Sequence, residues 1–497
     1  MTKILLISVP FMEPEMPAPA IYHLKGQLNK HNITSKAIDI NVVLYNVMKD
    51  KWNEVANLLQ GIEHINWYKE NLILNKEIED NLCQLVDIEL KKYKPEWIGL
   101  SVFSINSRHS TINIIKHIRK NYPAIKIVIG GAGLGKSLGD YEYSWAQNLF
   151  NDSLIDYFIS GEGEIALVKL LQDVIDYPGI NSDPKQIEDL TTIAWADYTD
   201  ADNNLYPWEK YNISPTYVLT GSRGCVRRCY FCDVYKFWPK FRYRTGDDIA
   251  REMLHNYKNK NVDHFYFSDS LINGSMKSFR ELYTVLKDYK DKKLLPHDIN
   301  WGGQFIARTN SQMSLNDYKL AKEAGFIHCS IGIEHASEKI RNAMNKGFSN
   351  VALNDTVTNL AEAGIYAAYN FIIGHPLETE EDFEEFIEFL HKFKWANDMN
   401  IVDKINLQTG IYFLEGTDFY SKKDYLVEDE PYDCGGEYWI SKHVPNLNFP
   451  EIYKRRMRVS DTAKKLGYKL HDEENLLVFM NTKLKRYNRL KEQYETQ

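Results

Sequence analysis

Short apolar runs punctuate the first third of the chain, spaced so that a helix fits between most neighbours. Runs at 4–9, 35–40, 97–103, 126–129 and 155–159 read as buried strands, and 20–29, 48–93 and 108–121 read as helical. Short strands alternating with helices predict a parallel sheet covered on both faces. A ligand of such a sheet sits beyond the carboxyl ends of the strands, where the strand order reverses. The pattern breaks at 178–212, rich in Pro, Gly, Asp and Asn, which reads as a linker. A second alternation then predicts strands at 216–220, 264–268, 299–306, 328–333, 366–373 and 404–412. Thr245 with Asp248 opens one intervening helix as a capping-box-like pair, Gly325 and Gly364 stand where helix C-caps belong, and 380–393 is strongly amphipathic. Six βα units predict an incomplete TIM-like barrel whose functional groups gather on the loops after the strands. The remainder, 416–497, is mixed, then basic and helical.

Composition narrows the class. A chain of 497 residues exceeds one ordinary domain. Sixty Lys and Arg against 68 Asp and Glu give a net charge of −8, which favours solubility and does not favour nucleic acid as a partner. No apolar run reaches the length of a membrane span, and MTKILLISVP reads as a first strand rather than a secretion signal. Of the six cysteines, Cys83, Cys329 and Cys434 are scattered, which is no disulfide framework and suits a reducing cytoplasm.

The other three cysteines, Cys225, Cys229 and Cys232, stand together in GSRGCVRRCYFCDVY, just after the first strand of the second alternation. Thiolates this close can wrap a soft metal centre. Structural zinc sites close with four ligands, and no second cysteine pair exists; His255 and His264 fall in the following helix and strand. A four-iron cluster held by three cysteines leaves one iron open to a ligand. Zinc, or cysteines unrelated to metal, remains the alternative.

C-x-x-x-C-x-x-C after the first strand of a βα barrel resembles the radical SAM superfamily. The resemblance implies a [4Fe-4S] cluster whose open iron chelates S-adenosyl-L-methionine (SAM) and whose electron cleaves it to a 5′-deoxyadenosyl radical. It implies an external electron donor of flavodoxin or ferredoxin type. It places Phe231 near the adenine, and Asp269 and Ser270 of YFSDS near the SAM amino group. Gln304 and Arg308 of WGGQFIAR end the third strand, with Arg308 suited to the SAM carboxylate. Glu334 of IGIEHAS matches a ribose-binding position, although His335 replaces the usual Ser. Gly374 and Pro376 of NFIIGHPLET match the turn that approaches the adenine. Each also has a plain structural reading: a helix cap, a surface ion pair or a tight turn.

The first alternation adds a second expectation. It lacks G-x-G-x-x-G after its first strand, where SVPFMEPEMPAPA follows instead. Small residues line the later strand ends, Ser101 and Ser104 in LSVFS, Gly130, Gly131 and Gly133 in GGAGLG, and Gly161 in SGEGE, with Phe103 and Glu162 among them as further candidates. With Pro10 they suit the approach of a large flat ligand. Ahead of a radical SAM barrel, this resembles the flavodoxin-like cobalamin-binding domain of cobalamin-dependent radical SAM enzymes. Ile21, His23 and Gly26 echo D-x-H-x-x-G without its Asp, and His23 reads as a helix-surface residue.

The expected chain is thus α/β. A Rossmann-like cobalamin-binding domain covers 1–177, a linker 178–212, a partial (βα)6 barrel 213–415 and a C-terminal extension 416–497. The resemblance implies methyl transfer to an unactivated carbon of a small-molecule or peptide substrate, through methylcobalamin. Tyr235, Trp238 and Tyr243, with Tyr230 and Arg244, are candidates for the substrate cavity or for ordinary core packing. Alternatives are a non-methylating rearrangement or cyclisation, and a zinc- or cobalamin-binding module without turnover. The basic residues Lys454, Arg455, Arg456 and Arg458, and Lys483, Lys485, Arg486 and Arg489, read as solvated helix faces, with binding of an anionic substrate or carrier as the alternative.

Overall fold

A computed structural model describes residues 2–61, 71–135, 143–413, 416–427, 438–471 and 473–495. Cys434 lies outside these. By its internal contacts the chain forms two compact units, Met1–Thr220 with Arg242–Tyr266, and Gly221–Phe241 with Phe267–Gln497. The chain therefore passes from one unit to the other three times.

In the first unit the predicted strands form, as β1 (Lys3–Ser8), β2 (Thr34–Asp39), β3 (Trp97–Ser101), β4 (Lys126–Gly130) and β5 (Tyr157–Ile159). They make one parallel sheet in the order β2-β1-β3-β4-β5, so the direction of the winding reverses between β1 and β3. The register brings Ser8 opposite Ser101 and Ser101 opposite Gly130, which levels the carboxyl ends of three strands. Leu5, Ile7, Ile98, Leu100, Ile127 and Ile129 are buried, covered by Leu82 and Val86 of the helix Leu72–Tyr93 and Ile114 and Ile118 of the helix Arg108–Asn121. Ile4, Leu6 and Val128, which alternate to the opposite face, are buried too, and burial on both faces explains why these strands read as continuous apolar runs rather than alternating ones.

Residues 178–212 do not hang free. Asp189, Asp197 and Asp202 each accept a backbone N–H at the start of a 3-10 turn. Tyr198 is buried, donates to the Val218 carbonyl at 2.7 Å and stacks on Tyr217. Aspartate-capped turns replace regular structure here, which is why the stretch showed no period. Gly26 lies so close under the Trp195 carbonyl that a Cβ would stand 1.9 Å from its oxygen. His23 belongs to the helix Pro19–Lys30 but is buried, its Nε2 3.2 Å from Thr220 Oγ1, which corrects its surface assignment.

The second sheet contains all six predicted strands: β6 (Thr216–Leu219), β9 (His264–Phe267), β10 (Asn300–Phe305), β11 (Phe326–Glu334), β12 (Tyr366–Ile373) and β13 (Val402–Thr409). Their order is β13-β12-β11-β10-β9-β6, an open sheet that does not close into a full barrel. Short strands β7 (Ser222–Arg223) and β8 (Arg242–Tyr243) bracket the cysteine loop in sequence. Among the described residues, no helix is long and apolar enough to cross a membrane.

In the first unit Glu162 and Arg242 form a buried bidentate pair, with Nη2–Oε1 at 2.7 Å and Nη1–Oε2 at 2.9 Å. The Ile187 N–H also donates to Glu162, at 2.6 Å. Arg242→Met leaves that carboxylate buried without its ion partner. It is expected to destabilise the protein by about 3–5 kcal/mol, read as the shift of the urea unfolding midpoint.

Candidate active site

The cysteine loop leaves β6 and at once meets a buried carboxylate. Asp269, just past β9, accepts from the Gly221 N–H at 2.7 Å and from Ser222 Oγ at 2.6 Å. Gly224 then turns with φ +83°, and a Cβ there would stand 2.6 Å from the Lys240 carbonyl oxygen, so only glycine fits. The Cys232 N–H closes a turn onto the Cys229 carbonyl, and the Arg227 N–H donates to Cys225 Sγ at 3.4 Å. The far side of the loop is held by Phe419, whose N–H donates to the Tyr230 carbonyl, and by a Lys236–Asp418 ion pair of 2.8 Å.

Cys229 is buried, and Cys225 and Cys232 are half-buried. Burial raises all three thiols, Cys229 to about 12, and the nearby Lys346 ammonium opposes the rise. Without a cation, three thiolates here would be desolvated and would repel one another. The donor chemistry nevertheless fits an iron–sulfur cluster: three thiols on one half-buried loop, with a cation beside them to offset cluster charge. His255 and His264 lie, as expected, in the helix Gly246–Lys260 and in β9.

The residues expected to contact SAM divide into committed and available groups. Asp269 is committed to the loop's root. Arg308 is available: Nη2 donates to the Asn273 and Gly274 carbonyls, yet Nε is buried without a partner among the described residues. Burial and then the neighbouring Arg227 lower its pKa, so it is a cation held without a counter-ion. Arg227 Nε is likewise buried and unpartnered. Ser270 and Gln304 are half-buried, and their side chains make no hydrogen bond among the described residues. Glu334 ends β11 with φ +66° and accepts from Lys346 Nζ at 2.5 Å through Oε1, which leaves Oε2 available. Gly332 admits this pair, since a Cβ would stand 2.4 Å from Glu334 Oε1. Phe231 packs half-buried beside the cluster of Met344, Phe413 and Phe419.

His335, the departure from the family's Ser, is fully buried. The Ser337 N–H donates to its Nδ1 at 3.0 Å, so Nε2 carries the proton and donates to Glu378 Oε2 at 3.1 Å. The Gly374–Pro376 turn has little backbone to offer a ligand. Gly374 and His375 N–H groups donate to Glu378, the Ile411 N–H donates to the Gly374 carbonyl, and Ser441 Oγ donates to the Pro376 carbonyl. An adenine there would rest mainly by packing. Burial drives His375 down to about 3, so it is neutral.

At the end of the first sheet, Phe103 is exposed at the switch point, with Ser101 and Ser104 half-buried and Pro10 buried. Gly131 and Gly133 have a reason of their own. Cβ atoms there would stand 2.4 Å from the Val102 and Ser104 carbonyl oxygens, so these glycines let the loops after β3 and β4 knit together. Gly130 is half-buried, and Gly161 has φ +71° and packs on Pro184. The Glu162 carboxylate, a candidate for ligand contact, is instead committed to Arg242. Tyr235 and Trp238 lie half-buried past the cysteines, while Tyr243 is exposed. Lys346 escaped sequence analysis because Asn345-Lys346-Gly347 reads as a surface turn, yet its side chain is 12% exposed.

Asp269→Ala removes the acceptor shared by Gly221 and Ser222. The iron bound after anaerobic reconstitution should fall well below the wild-type level, measured by colorimetric iron assay beside Cys229→Ala. Because the thiols must lose protons to bind metal and burial raises their pKa, cluster assembly should speed up from pH 7 to pH 9 and slow as pH falls.

Residues 219–390 match the family model described as the radical SAM superfamily. Anaerobic magnesium-protoporphyrin IX monomethyl ester cyclases of Cereibacter sphaeroides and Rubrivivax gelatinosus are both 26% identical, over 46% and 69% of this chain. The chain spans only 40% and 61% of those proteins' own length. Among solved structures, the radical SAM methyltransferase TsrM of Kitasatospora setae, with cobalamin and a [4Fe-4S] cluster bound, aligns with TM-score 0.58 at 14% identity, over 84% of this chain and 74% of that one. The cobalamin-dependent radical enzyme OxsB, with aqua-cobalamin and SAM bound, aligns with TM-score 0.62 at 15% identity, over 98% of this chain and 71% of that one. At such identities the likeness is one of fold. Residues 219–390 therefore carry a radical SAM domain, and the fold of the chain is like that of cobalamin-dependent radical SAM proteins.

Proposed function

We propose that this enzyme transfers a methyl group to an unactivated carbon, using cobalamin beside SAM and the iron–sulfur cluster. One observation carries the reading. The same chain holds a three-thiol loop after β6 and a parallel sheet of order β2-β1-β3-β4-β5 with the aromatic ring of Phe103 exposed at its switch point. When bound, the cluster supplies the electron that cleaves SAM, and cobalamin carries the methyl group.

The protein's own residues bind and orient. Cys225, Cys229 and Cys232 hold the cluster, and Lys346 offsets its charge. Arg308, lacking a counter-ion, takes the SAM carboxylate, and Ser270 and Gln304 are the free polar groups for its amino end. Glu334 offers Oε2 to the ribose while Lys346 holds Oε1. Pro10, Ser101, Phe103, Ser104, Gly130 and Gly161 flank the flat cofactor, with Phe103 as its apolar contact. Glu162 acts from behind, as the partner of Arg242. The substrate is a small molecule or peptide, and the electron comes from an external flavodoxin- or ferredoxin-type donor. The similarity to the cyclases supports a second reading, in which the same radical start ends without methylation.

Anaerobically reconstituted protein with added cobalamin is expected to cleave SAM to 5′-deoxyadenosine. Mass spectrometry of cells expressing it should show a product heavier by one methyl group that is missing with Cys229→Ala. A radical-dependent product of unchanged carbon count would favour the second reading. Phe103→Ala should weaken cobalamin binding while iron content stays at the wild-type level, read from the visible spectrum after desalting.

A further inference from the structure

The helix Phe449–Lys465 reads in the sequence as basic and solvent-facing. In the second unit, Arg455 is instead buried on the turn that follows β12. Its Nη1 donates to Glu378 Oε1 at 2.8 Å and to the Glu378 carbonyl at 3.1 Å, while Nη2 reaches Glu380 at 2.9 Å. Its guanidinium also lies 5.3 Å from the Phe383 ring centroid. Glu378 in turn accepts from the Gly374 N–H at 2.8 Å, from His375 N–H and from His335 Nε2. Burial alone would raise the Glu378 pKa, but the His335 and Arg455 donors outweigh it and hold it ionised. Two further contacts come from the same C-terminal part of the chain. Ile452 packs where a Gly374 Cβ would be, at 2.6 Å, and Ser441 Oγ holds the Pro376 carbonyl.

We propose that Arg455 is a positioning residue for SAM: it fixes Glu378, and Glu378 fixes the turn Gly374–Pro376 against which the nucleoside rests. The C-terminal helix is then part of the SAM site without touching SAM. A carboxylate that gathers donors from the residues just past β11 and β12 and from a distant helix transmits the helix position to the turn. Losing the arginine leaves Glu378 buried with one fewer donor, so the carboxylate, and the amides it holds, must move. Arg458, next on the helix, pairs with Glu380 and Glu384 on an exposed face and serves as the control. The proposal rests on the reading of Gly374–Pro376 as the adenine side of the site.

The test uses the full chain, reconstituted anaerobically, with labelled SAM in equilibrium dialysis and iron measured on the same sample. Arg455→Met should keep its iron and raise the SAM dissociation constant on the order of tenfold or more. Arg455→Lys, which retains one charged donor, should fall between, and Arg458→Met should bind as wild type. Wild-type affinity in Arg455→Met overturns the proposal. Should that variant not fold, Arg455→Lys decides. Faster hydrogen exchange at Gly374 and His375 with weaker SAM binding supports the proposal, and unchanged exchange and affinity overturn it. Wild-type protein that holds its iron yet binds no SAM overturns the reading of the site, and this proposal with it.

Discussion

A loop without helix or strand must satisfy its backbone elsewhere, and the loop that carries Cys225, Cys229 and Cys232 does so at its first step through Asp269. That buried carboxylate joins the end of β9 to the residues leaving β6, and everything the cysteines do depends on it. The rest of the loop is fastened by Gly224 under Lys240, by the Tyr230 carbonyl on Phe419 and by Lys236 on Asp418. The cysteines are thereby presented on a fixed support, although the loop itself has almost no regular structure.

Charge follows the same design. The thiols are desolvated, and the groups nearby are cations: Arg308 and Arg227 have buried Nε atoms without a partner among the described residues, and Lys346, paired with Glu334, is held above the ordinary lysine range by Glu334 and the neighbouring cysteines despite its burial. Such a site costs stability as an empty chain and regains it when negative charge enters. A thiolate-bound cluster and a carboxylate-bearing ligand both bring that charge.

The strands were legible because period and run length survive burial: all eleven predicted runs became strands within a few residues. The cysteines were legible because spacing is local. Asp269, Glu162 and Arg455 have partners that no local pattern in the sequence shows. Each sits where a functional or solvated group is expected, yet each is held by a partner tens of residues away, Asp269 by Gly221, Glu162 by Arg242 and Arg455 by Glu378. Sequence shows a charged side chain but not what neutralises it. Lys346 was missed from the other direction, since nothing in a turn tripeptide tells a buried ammonium from a solvated one. The glycines at 131 and 133 were noticed, but their loops also use them for each other.

The interleaved path of the backbone has a consequence for how this molecule can be divided or recombined. The segment 221–241 belongs with one unit and 242–266 with the other, so neither unit is a continuous stretch of gene. A protease making a single nick frees neither, and exchange of one half with a homologue by a lone crossover would split the cysteine-bearing body from its own partners. Inheritance of the two halves is bound to be joint.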